Sequence, residues 1–124
     1  MSDINKKRRQ DRRRRKISIR KKVHGTSDRP RVAVNRSHTA IYAQVVDDDA
    51  GRTILSSDSR HAESVEAPEG FAGKCAMAYF VGRAIADKAK EQGIAAMVFD
   101  RSGYLYHGRV AALARGLRDG GIKV

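Results

Sequence analysis

An α/β fold on a mixed sheet, in the order β-β-β-α-β-α behind a basic N-terminal arm, is what this 124-residue chain predicts. Three observations carry that expectation. Apolar residues alternate between 31 and 58 and are interrupted by two short polar turns, the pattern of an antiparallel meander. Helical apolar spacing then appears twice, over 72–92 and 107–119, with a short apolar run at 95–99 between them. Finally, 14 of the 26 lysines and arginines fall within residues 1–31 against only Asp3, Asp11 and Asp28, a net +11. Residues 32–124 carry 12 cations against 11 acids, a net +1, so nearly all of the +12 sits on one short arm.

The arm comes first in the chain. Its core, Lys6, Lys7, Arg8, Arg9, Arg12, Arg13, Arg14, Arg15 and Lys16, is followed by Arg20, Lys21 and Lys22. Helix formers dominate here, but repulsion between neighbouring charges should keep the helix partial until phosphates screen it. Ile17, Ile19 and Val23 are expected to pin the arm to the domain or to RNA sugars. A polycation of this density calls for a polyanion, and nucleic acid fits because each neutralised phosphate releases a condensed counterion. The turn-rich stretch Gly25-Thr26-Ser27-Asp28-Arg29-Pro30 reads as a hinge, which divides the chain into a basic arm, 1–28, and a globular domain, 29–124.

Within the domain, Val32 and Val34 share one strand face, Arg36-Ser37-His38-Thr39 is a turn, and Ile41, Ala43 and Val45 share the face of a second strand. The turn Asp47-Asp48-Asp49-Ala50-Gly51 leads to a third strand at 52–58, and connections this short make an antiparallel meander. A helix over 72–92 places Cys75, Ala78, Gly82, Ile85 and Ala89 on one stripe and stops at Gly93. On that stripe Cys75 is expected to be a small core residue. The run 95–99 is a short buried strand, and the strands before and after the long helix are expected to pair in parallel. A second helix from 107 to 119 turns Val110, Leu113, Ala114 and Leu117 inward and ends at Gly120-Gly121.

Composition excludes several classes. One cysteine rules out an internal disulfide and a cysteine-rich zinc site, and it fits a reducing, intracellular setting. No apolar run approaches the roughly 20 residues that span a bilayer, and the basic N-terminus lacks the apolar segment of a secretory signal. Aspartates and few serines argue against a transit peptide. Gly103 and Gly108 bracket a loop without the Lys-Ser/Thr of a nucleotide-hydrolysing P-loop. Asp47, Asp49, Gly51 and Asp58 imitate part of a calcium loop but lack its other ligand positions. The four histidines show no ligand pairing.

The most informative stretch is the strand-to-helix loop around Arg101, Tyr104, Tyr106, His107 and Arg109. Ligands usually meet an α/β sheet at such a junction. The two arginines can grip phosphate, assisted by helix N-terminal amides. Tyr104, Tyr106 and His107 can stack on unpaired bases or bond to 2′-hydroxyls, although one of the two tyrosines is as well suited to filling the sheet edge.

Arg29-Pro30-Arg31-Val32-Ala33-Val34-Asn35-Arg36-Ser37, Ile41-Tyr42-Ala43-Gln44-Val45, Phe99-Asp100-Arg101 and Tyr104-Leu105-Tyr106-His107-Gly108-Arg109-Val110 stand in an order and spacing that closely resemble the bacterial form of large-subunit ribosomal protein eighteen. The likeness covers essentially the whole chain. It implies a three-layer α/β fold with ribonuclease H-like topology and no enzymatic activity. It further implies a structural protein of the cytoplasmic ribosome that binds 5S rRNA and helps attach it to the large-subunit rRNA in the central protuberance, beside neighbouring ribosomal proteins. No cofactor, metal, membrane or small-molecule substrate is implied. Carried over by position, RNA contacts fall on the arm's cations, on Arg31, Arg36 and Ser37, and on the 104–109 loop, with Tyr42 and Gln44 as weaker candidates. Asn35, Ser102, Gly116 and Val124 depart from the family's usual pattern.

Two other functions compete. Ribonuclease H-like topology with Asp47, Asp48, Asp49 and Asp100 raises a nuclease, which needs carboxylates converging on two metal ions about 4 Å apart. The same arm also suits a nonspecific DNA-compacting protein.

Overall fold

The computed structural model describes residues 3–124. Its meander comprises β1 (Arg31–Arg36), β2 (Ile41–Asp47) and β3 (Arg52–Asp58), antiparallel in sequence. Turn chemistry explains both reversals. The Ser37 N–H donates to Ala40 O at 2.8 Å, closing the first. In the second, the Asp47 carboxylate accepts from the Asp49 and Ala50 amides at 3.0 and 3.2 Å. Period-2 alternation turns Val32, Val34, Ile41, Ala43 and Val45 to one buried face, with Val32 opposite Val45 and Val34 opposite Ala43. A register shift between Val45 and Val46 leaves Ile54 as an extra residue on β3.

The long helix α2 (Lys74–Glu91), the short strand β4 (Val98–Asp100) and the helix α3 (Arg109–Asp119) complete the domain. The sheet order is β3-β2-β1-β4, with β4 parallel to β1. This corrects the expected parallel partner, because β3, the strand immediately before α2, lies at the far edge. Since α2 packs over β2 and β3, the chain leaves it on the other flank, where pairing with β1 centres the sheet under both helices. Within the sheet, β2 runs against the other three strands. On the outer side of β4, the Met97 N–H donates to Lys123 O and the Lys123 N–H to Ala95 O, both at 2.9 Å, a single parallel bridge.

Ala78, Val81, Ile85 and Ala89 of α2 close over the buried sheet face together with Val110, Leu113 and Leu117 of α3. The two helices touch at Gly82 and Gly116, where a Cβ on either would overlap the other's backbone, at Leu113 O and Tyr79 O. Gly116 is therefore required by close approach.

The arm forms α1 (Asp3–Lys22), a continuous helix where charge repulsion led us to expect a partial one. It has anchors on the domain. Asp11, Arg15, Ile19 and Val23, at four-residue spacing, form its half-buried side, whereas Ile17 is exposed and does not pin it. The Arg15 Nε donates to Gly103 O at 2.8 Å, and Arg20 reaches Asp48 at 3.4 Å. Helix α1 thus runs from the loop after β4 to the β2–β3 turn. Among the described residues, no helix is long and apolar enough to cross a membrane.

Candidate nucleic-acid interface

An open cleft of about 650 Å³ lies where α1, the end of β1, the start of α2 and the 104–109 loop meet. Among the described residues, seven cations line it, Arg8, Arg9, Arg12, Arg15, Arg36, Lys74 and Arg109, and no acid does. Cys75, Tyr104, Leu105, His107 and Gly108 complete the wall. Two helix N-termini open there as well. Both α2 and α3 begin at a glycine, Gly73 and Gly108, with no side-chain cap and no acid in the first turn. The positive ends of two helix dipoles and seven like charges give the cleft a strongly positive field, suited to a chain of phosphates.

Tyr104 organises this wall. It is only 9% exposed, and the Arg12 and Arg36 guanidinium carbons lie 4.7 and 4.9 Å from its ring centroid. Its hydroxyl donates to Arg36 O at 3.3 Å and accepts from Arg12 at 3.4 Å. The ring therefore orients arginines, which matches the alternative that one of the two tyrosines packs against the fold. Tyr106 is the displayed tyrosine, 48% exposed beside Leu105 at 65%. Its ring is set edge-on to Phe99, and its hydroxyl accepts from Arg118 at 2.9 Å. His107 is exposed on the same loop. The loop's shape has local causes: Arg101 donates to Tyr104 O at 2.7 Å, and the Ser102 N–H donates to the buried Asp100 carboxylate at 2.8 Å. Ser102 is the one non-glycine residue with positive φ, 54°, among the described residues, a backbone conformation that favours glycine.

The remaining candidates separate clearly. Arg109 donates to Ser37 O at 2.8 Å and joins the first turn to the cleft. Lys6, Lys7, Arg8, Arg9, Arg12, Arg13, Arg14, Lys16 and Lys22 are exposed along α1. Lys21 lies in α1, and its side chain is outside the described residues. Arg20 is committed to Asp48 and to Val23 O. Arg31 is engaged within the chain. Its side chain is 14% exposed, held bidentately by Asp48 at 2.9 and 3.0 Å and by Asp100 at 2.8 Å. Arg31 in turn keeps the Asp48 carboxyl far below the usual carboxylate range. Tyr42 and Gln44 lie on the opposite sheet face, away from the cleft.

The acids do not make a metal site. Asp47 holds its own turn, Asp49 meets His24 at 2.7 Å, and Asp58 meets His61 at 2.8 Å. Asp48 and Asp100 do approach each other across strands, but the Arg31 guanidinium fills the space between them. Among the described residues no group of three or more potential ligands converges. Sequence reasoning missed Lys74, and Cys75, expected in the core, is half-buried: it packs against the core and also lines the cleft. Both lie at the first turn of α2, which lines the same cleft as the 104–109 loop, a long-range proximity with no local sequence signal.

Comparison with known proteins agrees in length and order. The family described as ribosomal L18 of archaea, bacteria, mitochondria and chloroplast matches residues 6–124. Large ribosomal subunit protein uL18 of Desulfatibacillum aliphaticivorans is 49% identical over 109 residues, 88% of each chain. The proteins of the same name from Symbiobacterium thermophilum and Thermosynechococcus vestitus are 47% and 52% identical over 112 and 104 residues. Those alignments cover 90% and 84% of this chain and 91% and 86% of the relatives.

Proposed function

The chain belongs to the ribosomal L18 family, structural proteins of the large ribosomal subunit, and from that premise we propose that it binds 5S rRNA and helps attach it to the large-subunit rRNA in the central protuberance, beside neighbouring ribosomal proteins. The observation that carries the proposal is the cleft with seven cations and no acid among its described lining, opened to two helix N-termini without side-chain caps. Phosphates of a folded RNA enter it between α1 and the 104–109 loop. Arg8, Arg9, Arg12, Arg36, Lys74 and Arg109 neutralise them, while Tyr106 and His107 offer ring faces to unpaired bases at the rim. Tyr104 and Arg31 act behind this surface as supports. Domain residues 29–124 give shape to the site and the arm, 1–28, supplies most of its charge.

Binding of the full chain to a 5S rRNA transcript, a duplex RNA and a duplex DNA of equal length at physiological salt tests the proposal. A clear preference for the 5S transcript is the expected result. Equal affinity for all three would replace it with nonspecific polyanion binding, including DNA compaction.

A further inference from the structure

The junction between arm and domain looks like a hinge in sequence but is locked in the fold. Gly25 is buried, and a Cβ there would strike the Arg31 backbone nitrogen and lie 2.6 Å from Val46 O. Gly25 and Asp48 exchange hydrogen bonds: the Gly25 N–H donates to Asp48 Oδ2 at 2.7 Å, and the Asp48 N–H donates to Gly25 O at 3.0 Å. The same carboxylate takes Arg31 from the start of β1 and, at 3.4 Å, Arg20 from the last turn of α1. One side chain on the β2–β3 turn thus ties together the end of the arm helix, the linker and the first strand. It lies at the opposite end of α1 from the cleft and contributes nothing to the cleft's lining.

We infer that Asp48 is a positioning residue, a latch that sets the direction in which α1 leaves the domain and so holds Arg8, Arg9 and Arg12 over the cleft. The inference rests on the RNA-binding reading of that cleft. Arg12 and Arg15 meet the 103–104 loop at only one point of α1, and two anchors, one near each end of the contact, are needed to fix a helix's direction. A preoriented arm binds without first losing the freedom to swing, so loss of the latch lowers affinity even though no phosphate contact is removed.

Charge makes the test discriminating. Asp48→Ala and Asp48→Asn both delete a negative charge from a protein that binds a polyanion, so electrostatics alone predicts equal or tighter binding. The latch predicts the reverse: about tenfold weaker binding of a 5S rRNA transcript for Asp48→Ala, and a smaller loss for Asp48→Asn, which keeps one oxygen for Gly25. The arm's direction is read without RNA, by double electron–electron resonance between spin labels at Gln10→Cys and Gln92→Cys in a Cys75→Ser background of the full chain. A narrow distance distribution in the parent should broaden in Asp48→Ala. Asp100→Asn removes the other carboxylate from Arg31 and should lower the melting temperature while leaving the distribution narrow. Unchanged distances in Asp48→Ala, tighter RNA binding, or equal broadening in Asp100→Asn would each overturn the latch. A parent that shows no preference for 5S rRNA would sink the functional reading instead, with the RNA-free distances still deciding the latch.

Discussion

At the scale of single residues, the 104–109 loop assigns different jobs to neighbours of similar chemistry. Tyr104 is covered by two guanidinium groups and Tyr106 is open, so burial and not residue type decides which ring can meet a base. Arg109 lies on the cleft wall, and among the described residues its one hydrogen-bond partner is the exposed carbonyl of Ser37. Replacing it with alanine should leave the melting temperature nearly unchanged and cost about 1–3 kcal/mol of RNA binding. Parallel thermal melts and binding isotherms check this; early melting with normal binding once folded would move Arg109 into the scaffold. Asp48 behaves in the opposite way, because its contacts are internal. Its carboxyl is held far below the usual range, chiefly by Arg31, and Asp119 is lowered first by the Tyr79 hydroxyl and then by Arg115. A depressed folded-state pKa gives stability that is complete above the unfolded carboxylate value near 3.8 and is lost as pH falls through the folded one. Denaturant titrations at pH 7, 4 and 3 should therefore show the wild type losing stability on acidification more steeply than Asp48→Asn.

At the scale of elements, legibility followed the kind of contact each element makes. The three meander strands were readable because alternation and turn residues are local signals, and Val32, Val34, Ile41, Ala43 and Val45 lie where the pattern put them. The partner of β4 was not readable, since β1 and β3 point the same way and nothing in a three-residue strand distinguishes them. Helix α1 was the hardest element, because its anchors are a carbonyl, a tyrosine ring and one aspartate, all remote in sequence, with no apolar stripe to announce them. The crossing of α2 and α3 had a faint signal in Gly82 and Gly116, two glycines in otherwise helical patterns. Because backbone meets backbone there, Gly116→Ala has no flexible side chain to displace. It should cost about 1–3 kcal/mol by overpacking, against about 2–5 kcal/mol for the cavity left by Leu113→Ala. For a domain of this size, each kcal/mol lowers the melting temperature by roughly 4–8 °C, so calorimetry resolves both. An unchanged Gly116→Ala melt would mean that the helices can separate at no cost.

At the scale of the whole molecule, the charge count sets a strongly cationic N-terminal stretch against a nearly neutral remainder. The count could not show that the arm folds back along the domain, so that one cleft draws on both: four of its seven cations come from α1 and three from the domain. Removal of residues 1–22 takes away twelve cations and two acids, leaving a net charge of about +2. Most phosphate contacts go with them, so affinity should fall for every RNA and the slope of log K against log salt should flatten by several units, at roughly 0.9 per duplex phosphate released. Arg36, Lys74 and Arg109 stay in place, along with Tyr106 and His107, so the shortened domain should keep a weaker preference for the 5S transcript over duplex DNA. Loss of Arg12 and Arg15 also uncovers Tyr104 and frees Gly103 O, which predicts a modest drop in melting temperature to be measured alongside. A truncated domain that kept the full salt slope would show that the electrostatic contact lies on the domain alone. One that lost all preference while remaining folded would place RNA selectivity in the arm, and the cleft would then be a seat for charge without shape.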